Sequence, residues 1–302
     1  MSIFNYAVAK TIMHVPKPIV SYFAKGYIAG STLADAVRVS KELNQQGMMT
    51  TIDILGEFIT DINQAVAFKN DALEILRTIE REKLDGNLSI KPTQMGLLLD
   101  KERCFALIRE LVAEAKKLNS FVRIDMEDIA TTDDTLECFR AMRQEFPGHA
   151  GTVLQSYLRR TPKDIADHVD GYQNYRLCKG IYVEPRTHAW KNPQAINRNF
   201  VVCLEQMIRQ GAYPAIATHD ELLVFEAMHL VRSMGLTPDQ YEFQMLLGVD
   251  EELREIILAG GHRLRIYVPY GRDWLPYSKR RLKENPAIAQ HALKQMIGIN
   301  KH

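Results

Sequence analysis

The chain has 302 residues, of which 46% are hydrophobic and 25% charged, the balance of an ordinary soluble globular protein. Its 38 Lys and Arg residues nearly equal its 37 Asp and Glu residues, so no long-range field favours nucleic acid or an anionic membrane. The four cysteines are scattered without any C-x-x-C spacing, which predicts thiols in a reducing cytoplasm.

Residues 1–47 are predicted to form an N-terminal helical extension. Apolar and aromatic side chains near the start are interrupted by Lys10, His14 and Lys17, and no clean apolar run precedes a cleavage site. Neither a signal peptide nor a transmembrane helix is predicted. Amphipathic helices packed on the protein are favoured, and peripheral contact with a membrane stays an alternative.

From residue 48 onwards, short apolar runs alternate with amphipathic stretches of helical period, which indicates βα units and a parallel sheet. Eight consecutive units predict an α/β fold, a (βα)8 TIM-like barrel that fills residues 48–302 as a single domain. The predicted strands are residues 49–55, 88–91, 121–126, 152–155, 175–178, 215–218, 242–246 and 263–268.

Polar residues follow nearly every predicted strand, at the face where an α/β barrel carries its reactive groups. Asp125 ends the third strand, and a buried carboxylate there would need a cationic partner, for which Lys91 is a natural candidate. The alternative is a solvated Asp125 beside a helix cap at Asp128. A metal site that also uses Glu127 is a further option, although no histidines stand at ligand spacing.

Two further strand ends suggest an anionic or aromatic ligand. Arg176 and Lys179 precede Gly180, where the backbone can approach a phosphate or an electron-rich ring. His219 lies between Thr218 and Asp220 at a helix start, which suits an anion or is simply a cap. Two phosphate contacts would suit a dinucleotide, but no G-x-G-x-x-G motif occurs, so a Rossmann site is not predicted.

A predicted helix after the last strand has a face suited to an amino-acid zwitterion. Tyr277, Arg280 or Arg281, and Glu284 share that face and offer an aromatic wall, a fork for a carboxylate and a counter-charge for an amine. The alternative is an exposed basic helix.

These motifs together resemble the FAD-dependent proline dehydrogenases, whose catalytic domain is a (βα)8 barrel. The resemblance covers residues 49–285 and rests on RIDM at 123–126, LQSY at 154–157, RLCKGIY at 176–182, ATHD at 217–220, EFQML at 242–246 and the segment 266–285. The family oxidises L-proline to Δ1-pyrroline-5-carboxylate, reduces its flavin and passes the electrons to a quinone.

The resemblance implies roles for particular residues. Asp125 and Arg176 would be catalytic, with Asp125 helping to hold Lys91 beneath the substrate. The implied substrate-binding residues are Lys91, Tyr182, Leu246, Tyr267, Tyr277, Arg280, Arg281 and Glu284. The implied FAD-binding residues are Met126, Gln155, Arg176, Lys179, Gly180, Ile181, Thr218 and His219.

Two departures from the family pattern matter. The family often has Ala where this chain has Ile181, so packing beside the flavin is expected to differ. The chain lacks the aldehyde dehydrogenase and DNA-binding regions of the long bifunctional members, so a monofunctional enzyme is expected. A separate pyrroline-5-carboxylate dehydrogenase would then act on its product. The expected location is the cytoplasm, with peripheral contact at the inner face of the membrane as a possibility that the resemblance leaves open. The remaining alternatives are a metal-assisted lyase or hydrolase and a non-catalytic binding protein for an amino acid or phosphate ligand.

Overall fold

A computed structural model describes residues 26–56, 59–272, 274, 275 and 278. Eight parallel strands form a closed barrel in chain order, and the last strand returns to pair with the first. The strands are β1 Met49–Ile54, β2 Gly86–Ile90, β3 Val122–Ile124, β4 Ala150–Gln155, β5 Asn174–Cys178, β6 Tyr213–Ala217, β7 Glu242–Leu246 and β8 Leu264–Tyr270. The predicted α/β barrel is confirmed.

Helices connect the strands on the outside of the barrel. The α-helices are α1 Leu33–Gln45, α2 Ile62–Arg81, α3 Lys101–Lys117, α4 Thr132–Glu145, α5 Thr161–His168, α6 Pro193–Arg209, α7 Glu221–Ser233 and α8 Glu251–Ala259. Short 3-10 turns at Ile129–Thr131 and Pro238–Gln240 precede α4 and β7. Several helices begin at side chains that accept from their first free N–H groups, as Asn192 does for α6 and Asp220 for α7.

The segment before β1 is joined to the barrel through backbone and helix contacts. Thr32 and Asp35 form a capping box that starts α1, whose buried face includes Ala36 and Leu43. Ala29 N–H donates to the Pro269 carbonyl of β8 at 2.9 Å. Residues 1–25 lie outside the described residues, and the division at residue 47 stays a prediction. None of the helices within the described ranges is long and apolar enough to cross a membrane.

Side chains alternate along the strands between two different environments. One set, which includes Ile52, Leu88 and Ile266, belongs to the apolar core that also contains the buried faces of the helices. The other set points inside the barrel and is largely polar: Arg123 is fully buried there and donates to the carbonyls of Thr152 and Asn174 at 2.8 Å each. A polar barrel interior means that side-chain hydrogen bonds replace the usual apolar layers.

The strand ends explain where the reactive side chains sit. β3 ends at Ile124, shorter than predicted, yet the Asp125 N–H still donates to the Ile90 carbonyl at 2.8 Å. That bond holds Asp125 at the carboxyl end of the barrel, beside the residues that follow β2 and β4.

Candidate active site

A cavity of about 690 Å³ opens at the carboxyl ends of the strands, a volume typical of small-molecule and cofactor sites. It is lined by thirteen of the residues that the sequence analysis assigned to substrate, flavin or catalysis. They are Lys91, Asp125, Met126, Gln155, Arg176, Lys179, Gly180, Ile181, Tyr182, Thr218, His219, Leu246 and Tyr267. The other four assigned residues, Tyr277, Arg280, Arg281 and Glu284, lie outside the described residues.

Asp125 and Arg176 form an ion pair at the floor of this cavity. Arg176 Nη1 lies 2.7 Å from Asp125 Oδ1, and the two side chains are 9% and 13% exposed. The same carboxylate accepts from Ser89 Oγ at 2.8 Å and from the Tyr267 hydroxyl at 3.2 Å. The Tyr267 ring centroid lies 5.3 Å from the Arg176 guanidinium carbon. Asp125 is thus held by three hydrogen-bonding partners. The alternative interpretation of the sequence, a solvated Asp125, is excluded.

Lys91 has a different partner from the predicted one. Its Nζ lies 2.8 Å from both carboxylate oxygens of Asp53, a residue of β1 that is 1% exposed. The predicted direct pair between Lys91 and Asp125 is therefore wrong, because the partner of Lys91 is Asp53. Asp125 interacts with Lys91 only through its charge, at longer range. Burial alone would lower the pKa of Lys91, but the charges of Asp53 and Asp125 hold it above its ordinary value.

Asp53 is a site residue that no strand-end pattern indicates, because it lies within β1 and not at its end. A usable signal was present. Thr51 and Asp53 alternate with apolar Ile52 in a buried strand, which places both polar side chains on the same face. A carboxylate buried on the inner face of a closed barrel needs a cationic or hydrogen-bonding partner there.

Glu127 and Asp128 are each occupied by other groups. Glu127 accepts from the Thr93 backbone N–H at 2.8 Å and from the Thr93 hydroxyl at 2.6 Å. Burial raises the pKa of Glu127, and these two hydrogen bonds partly oppose the rise. Asp128 accepts from the Thr131 N–H at 3.2 Å and so caps the 3-10 turn. The carboxylates that a metal site would need are directed to separate partners, and no group of three His, Cys, Asp or Glu residues suited to a metal occurs within the described ranges.

The rim of the cavity carries a second ion pair. Lys179 Nζ lies 2.6 Å from Asp220 Oδ2, and the Asn197 amide donates to the same oxygen at 2.9 Å. His219 Nε2 accepts from the Leu246 N–H at 2.8 Å, which fixes the orientation of the imidazole ring. These contacts bring Lys179 and His219 to one side of the cavity together with the start of α7.

Gly180 occupies a position that no other residue fits. Its φ is +102°, and an added Cβ would lie 2.2 Å from the Tyr157 ring. The Tyr157 N–H also donates to the Lys179 carbonyl at 2.8 Å. The chain after β5 therefore packs closely against Tyr157 at Gly180, before Ile181 lies at the rim of the cavity with 40% of its surface exposed.

Two polar atoms at the cavity floor are buried and have no hydrogen-bond partner among the described residues. They are Arg176 Nη2, a donor, and Gln155 Oε1, an acceptor. The Gln155 amide is oriented by its other end, since its Nε2 donates to the Glu127 carbonyl at 3.2 Å. The polar edge of a flavin ring carries carbonyl oxygens and a ring N–H, so it would satisfy both atoms. The residues present fit a flavin.

The comparison with known proteins agrees with the motifs and the fold. A family model described as proline dehydrogenase matches residues 36–293. The chain belongs to the proline dehydrogenase family. It is thereby an enzyme of the oxidoreductase class.

Similar proteins include curated members from two bacterial groups. The chain is 36% identical over 274 residues to proline dehydrogenase 1 of Bacillus subtilis subsp. natto, a match that covers 91% of this chain and 90% of the relative. It is 34% identical over 278 residues to proline dehydrogenase of Deinococcus radiodurans, with the same coverage of both chains. The bifunctional protein PutA of Salmonella typhimurium is 25% identical, and the match covers 23% of that much longer chain.

Solved structures support the barrel. PutA from Bdellovibrio bacteriovorus, inactivated by N-propargylglycine, superposes with a TM-score of 0.83 at 24% identity, covering 93% of this chain and 34% of that one. A PutA variant from Bradyrhizobium japonicum superposes with a TM-score of 0.76 at 22% identity, covering 89% of this chain and 32% of that one. At these identities the likeness establishes the fold alone.

The structure adds residues that the sequence analysis did not assign to the site. Gln244 lies within the EFQML motif and reaches the cavity floor, where it contacts Arg176. Tyr27, from the segment before α1, also lines the cavity. No pattern in the sequence indicated Tyr27, because its place at the cavity depends on how the segment before α1 crosses the barrel.

Proposed function

We propose that the protein oxidises L-proline to Δ1-pyrroline-5-carboxylate by hydride transfer to bound FAD, and that a quinone reoxidises the flavin. This reaction would be the first step in the conversion of proline to glutamate. The observation that carries the proposal is the cavity floor of a chain of the proline dehydrogenase family. It holds the Asp125–Arg176 pair, and Arg176 Nη2 and Gln155 Oε1 find no partner in the part of the chain that the structure describes.

FAD would supply the hydride acceptor. Arg176 Nη2 would donate to the flavin ring, and Gln155 Oε1 would accept from it. Gly180 lines the same cavity, and Met126 and Ile181 would add apolar contact with the ring there. Towards the rim, Lys179, Thr218 and His219 are proposed to hold the phosphates, since Lys179 is cationic and all three side chains line the cavity beside the start of α7.

Proline would lie over the floor residues. Lys91, Asp125 and Tyr267 would supply the polar contacts, and Tyr182 and Leu246 would enclose the apolar ring. Arg280 and Arg281 are proposed to bind the carboxylate, because a guanidinium offers two parallel N–H groups, with Tyr277 and Glu284 beside them on the predicted helix.

The charges at the floor restrict the acid–base chemistry. Because nearby carboxylates hold the pKa of Lys91 above its ordinary value, this residue stays an ammonium at neutral pH and cannot accept the proton of the substrate amine. Asp125 accepts from Arg176, Ser89 and Tyr267, which fixes the orientation of its carboxylate. We therefore propose that Asp125 orients Arg176 and Tyr267 against the substrate and the flavin, and that the site binds proline with a neutral amine.

The product and the electrons would leave to separate partners. We propose a separate pyrroline-5-carboxylate dehydrogenase downstream, a quinone as electron acceptor, and no nucleic-acid partner. A cytoplasmic location, with peripheral contact at the inner face of the membrane to reach the quinone, completes the proposal.

The visible spectrum of the purified protein tests this proposal, recorded without oxygen before and after L-proline is added. Flavin bands that bleach with L-proline, but not with an equal concentration of D-proline or glycine, are the expected result. Asp125→Asn should retain the flavin bands and bleach more slowly. A protein that cannot be reconstituted with FAD would overturn the cofactor proposal. Flavin bands that ignore L-proline would overturn the substrate, and activity that requires a divalent ion would favour the metal-assisted alternative.

A further inference from the structure

We propose that Gln244 is a positioning residue for Arg176, and that Glu242 sets the orientation of the Gln244 amide. The inference rests on the proposed function, because it concerns how Arg176 is presented to the flavin and the substrate. Nothing in the family resemblance assigns a role to Gln244 or Glu242, and the contacts inside the barrel carry the argument.

The side chains of Arg176, Gln244, Glu242 and Arg265 form a continuous chain of hydrogen bonds inside the barrel. Arg176 Nε donates to Gln244 Oε1, and Gln244 Nε2 donates to Glu242 Oε1. Glu242 in turn accepts from Arg265 Nε at 2.8 Å and from Arg265 Nη2 at 3.1 Å. All four residues are buried. The chain of contacts thus leads from β8 through β7 to β5.

The orientation of the Gln244 amide follows from the chemistry of Glu242. An amide can rotate by 180° and exchange its oxygen for its nitrogen, so its orientation must be set by its neighbours. An ionised carboxylate can only accept, which requires the NH2 group of Gln244 to face Glu242 and the carbonyl oxygen to face Arg176. Burial would raise the pKa of Glu242, but Arg265 and the hydrogen bonds from Arg265 and Gln244 lower it to about 2, so the carboxylate stays ionised at neutral pH.

Two hydrogen bonds from different nitrogen atoms then fix the orientation of the Arg176 guanidinium. Asp125 holds Nη1 at 2.7 Å, and Gln244 holds Nε. With only one of these contacts, the planar group could turn about the remaining hydrogen bond. With both, the buried Nη2, which has no partner within the described ranges, has a single direction at the cavity floor. Because Gln244 is neutral, it provides this second contact without adding a second negative charge beside Arg176.

Gln244→Met is the main test, because methionine keeps a similar unbranched shape and removes both amide atoms. We expect kcat for proline to fall about 10-fold to 100-fold, as for a reacting group that is slightly misplaced, while KM changes less than about 3-fold. The apoprotein should bind FAD about 10-fold more weakly in a fluorescence titration. The flavin midpoint potential should become more negative, because a misdirected cation stabilises the reduced flavin less.

Three comparisons separate positioning from a loss of stability. Thr51→Val removes another buried hydrogen bond inside the barrel, from the Thr51 hydroxyl to Asn87 Oδ1 at 2.6 Å, and should leave kcat within about 2-fold. Gln244→Asn, which shortens the amide by one methylene, serves as a second variant if Gln244→Met is poorly folded. In an Arg176→Lys background, Gln244→Met should change kcat by less than about 3-fold, because no guanidinium is left to position.

A nitrogen-15 NMR spectrum of the arginine Nε–H groups tests the contact even if the proposed reaction fails. The protected signal that disappears in Arg176→Lys should exchange faster with water in Gln244→Met and stay unchanged in Thr51→Val. Unchanged protection in Gln244→Met, full kcat in that variant, or additive effects of Gln244→Met and Arg176→Lys would each overturn the positioning role. A wild-type protein without flavin or proline turnover would instead refute the proposed function and leave the NMR result to decide the contact.

Discussion

Replacement of Asp53 by Ala is expected to expose how much the barrel depends on its buried ion pair. Asp53 is 1% exposed and contacts Lys91 Nζ through both oxygens at 2.8 Å. Removing one partner of a buried pair leaves the other charge uncompensated and typically costs about 3–5 kcal/mol. The Lys91 side chain is 16% exposed, so water offsets part of this cost, and we expect a loss near 3 kcal/mol.

Urea unfolding at pH 7 measures this loss directly. With a denaturant dependence of about 3 kcal/mol per molar urea, the midpoint of Asp53→Ala should fall by about 1 M. The double variant Asp53→Ala with Lys91→Met removes both charges and should recover most of the stability, because no unpaired charge stays buried. Asp167→Ala is the matched control, since it breaks the exposed pair with Lys163 and should leave the midpoint unchanged. A midpoint for Asp53→Ala equal to wild type, or a double variant as unstable as the single one, would refute the reasoning.

Three further predictions follow from the site. Gly180→Ala should lower the free energy of unfolding by more than Gly148→Ala, measured by urea titration, because both have positive φ but only Gly180 would bring a Cβ into the Tyr157 ring. Because the pKa of Glu242 is lowered from 4.5 to about 2, its contribution to stability is present above pH 4.5 and is lost as the pH falls towards 2. The thermal midpoint should therefore fall less over that pH range in Glu242→Gln than in the wild type. Cys178 is partly exposed at the cavity and should react with iodoacetamide before the three other thiols, because burial raises the pKa of those three. Saturating FAD should slow the reaction of Cys178. The three buried thiols are Cys104, Cys138 and Cys203.

The sequence alone predicted the barrel and the strand ends that form its cavity, because both are local properties of the chain. Apolar runs alternate with helical periods, and the polar residue that follows a strand is adjacent to it in sequence. β7 was predicted with its observed bounds, and thirteen assigned residues meet at one cavity. The family motifs supplied the chemical interpretation of that cavity.

The partners of those residues were decided only by the tertiary structure. Lys91 and Asp53 are 38 residues apart, and Arg176 and Gln244 are 68 apart, so neither contact leaves a local pattern in the sequence. The register of neighbouring strands determines which inward side chains share a layer, and closure of β8 against β1 brings Tyr267 to Asp125 across the barrel. Strand periodicity can place a charge inside the barrel, but the choice of its partner depends on the register and closure of the whole sheet.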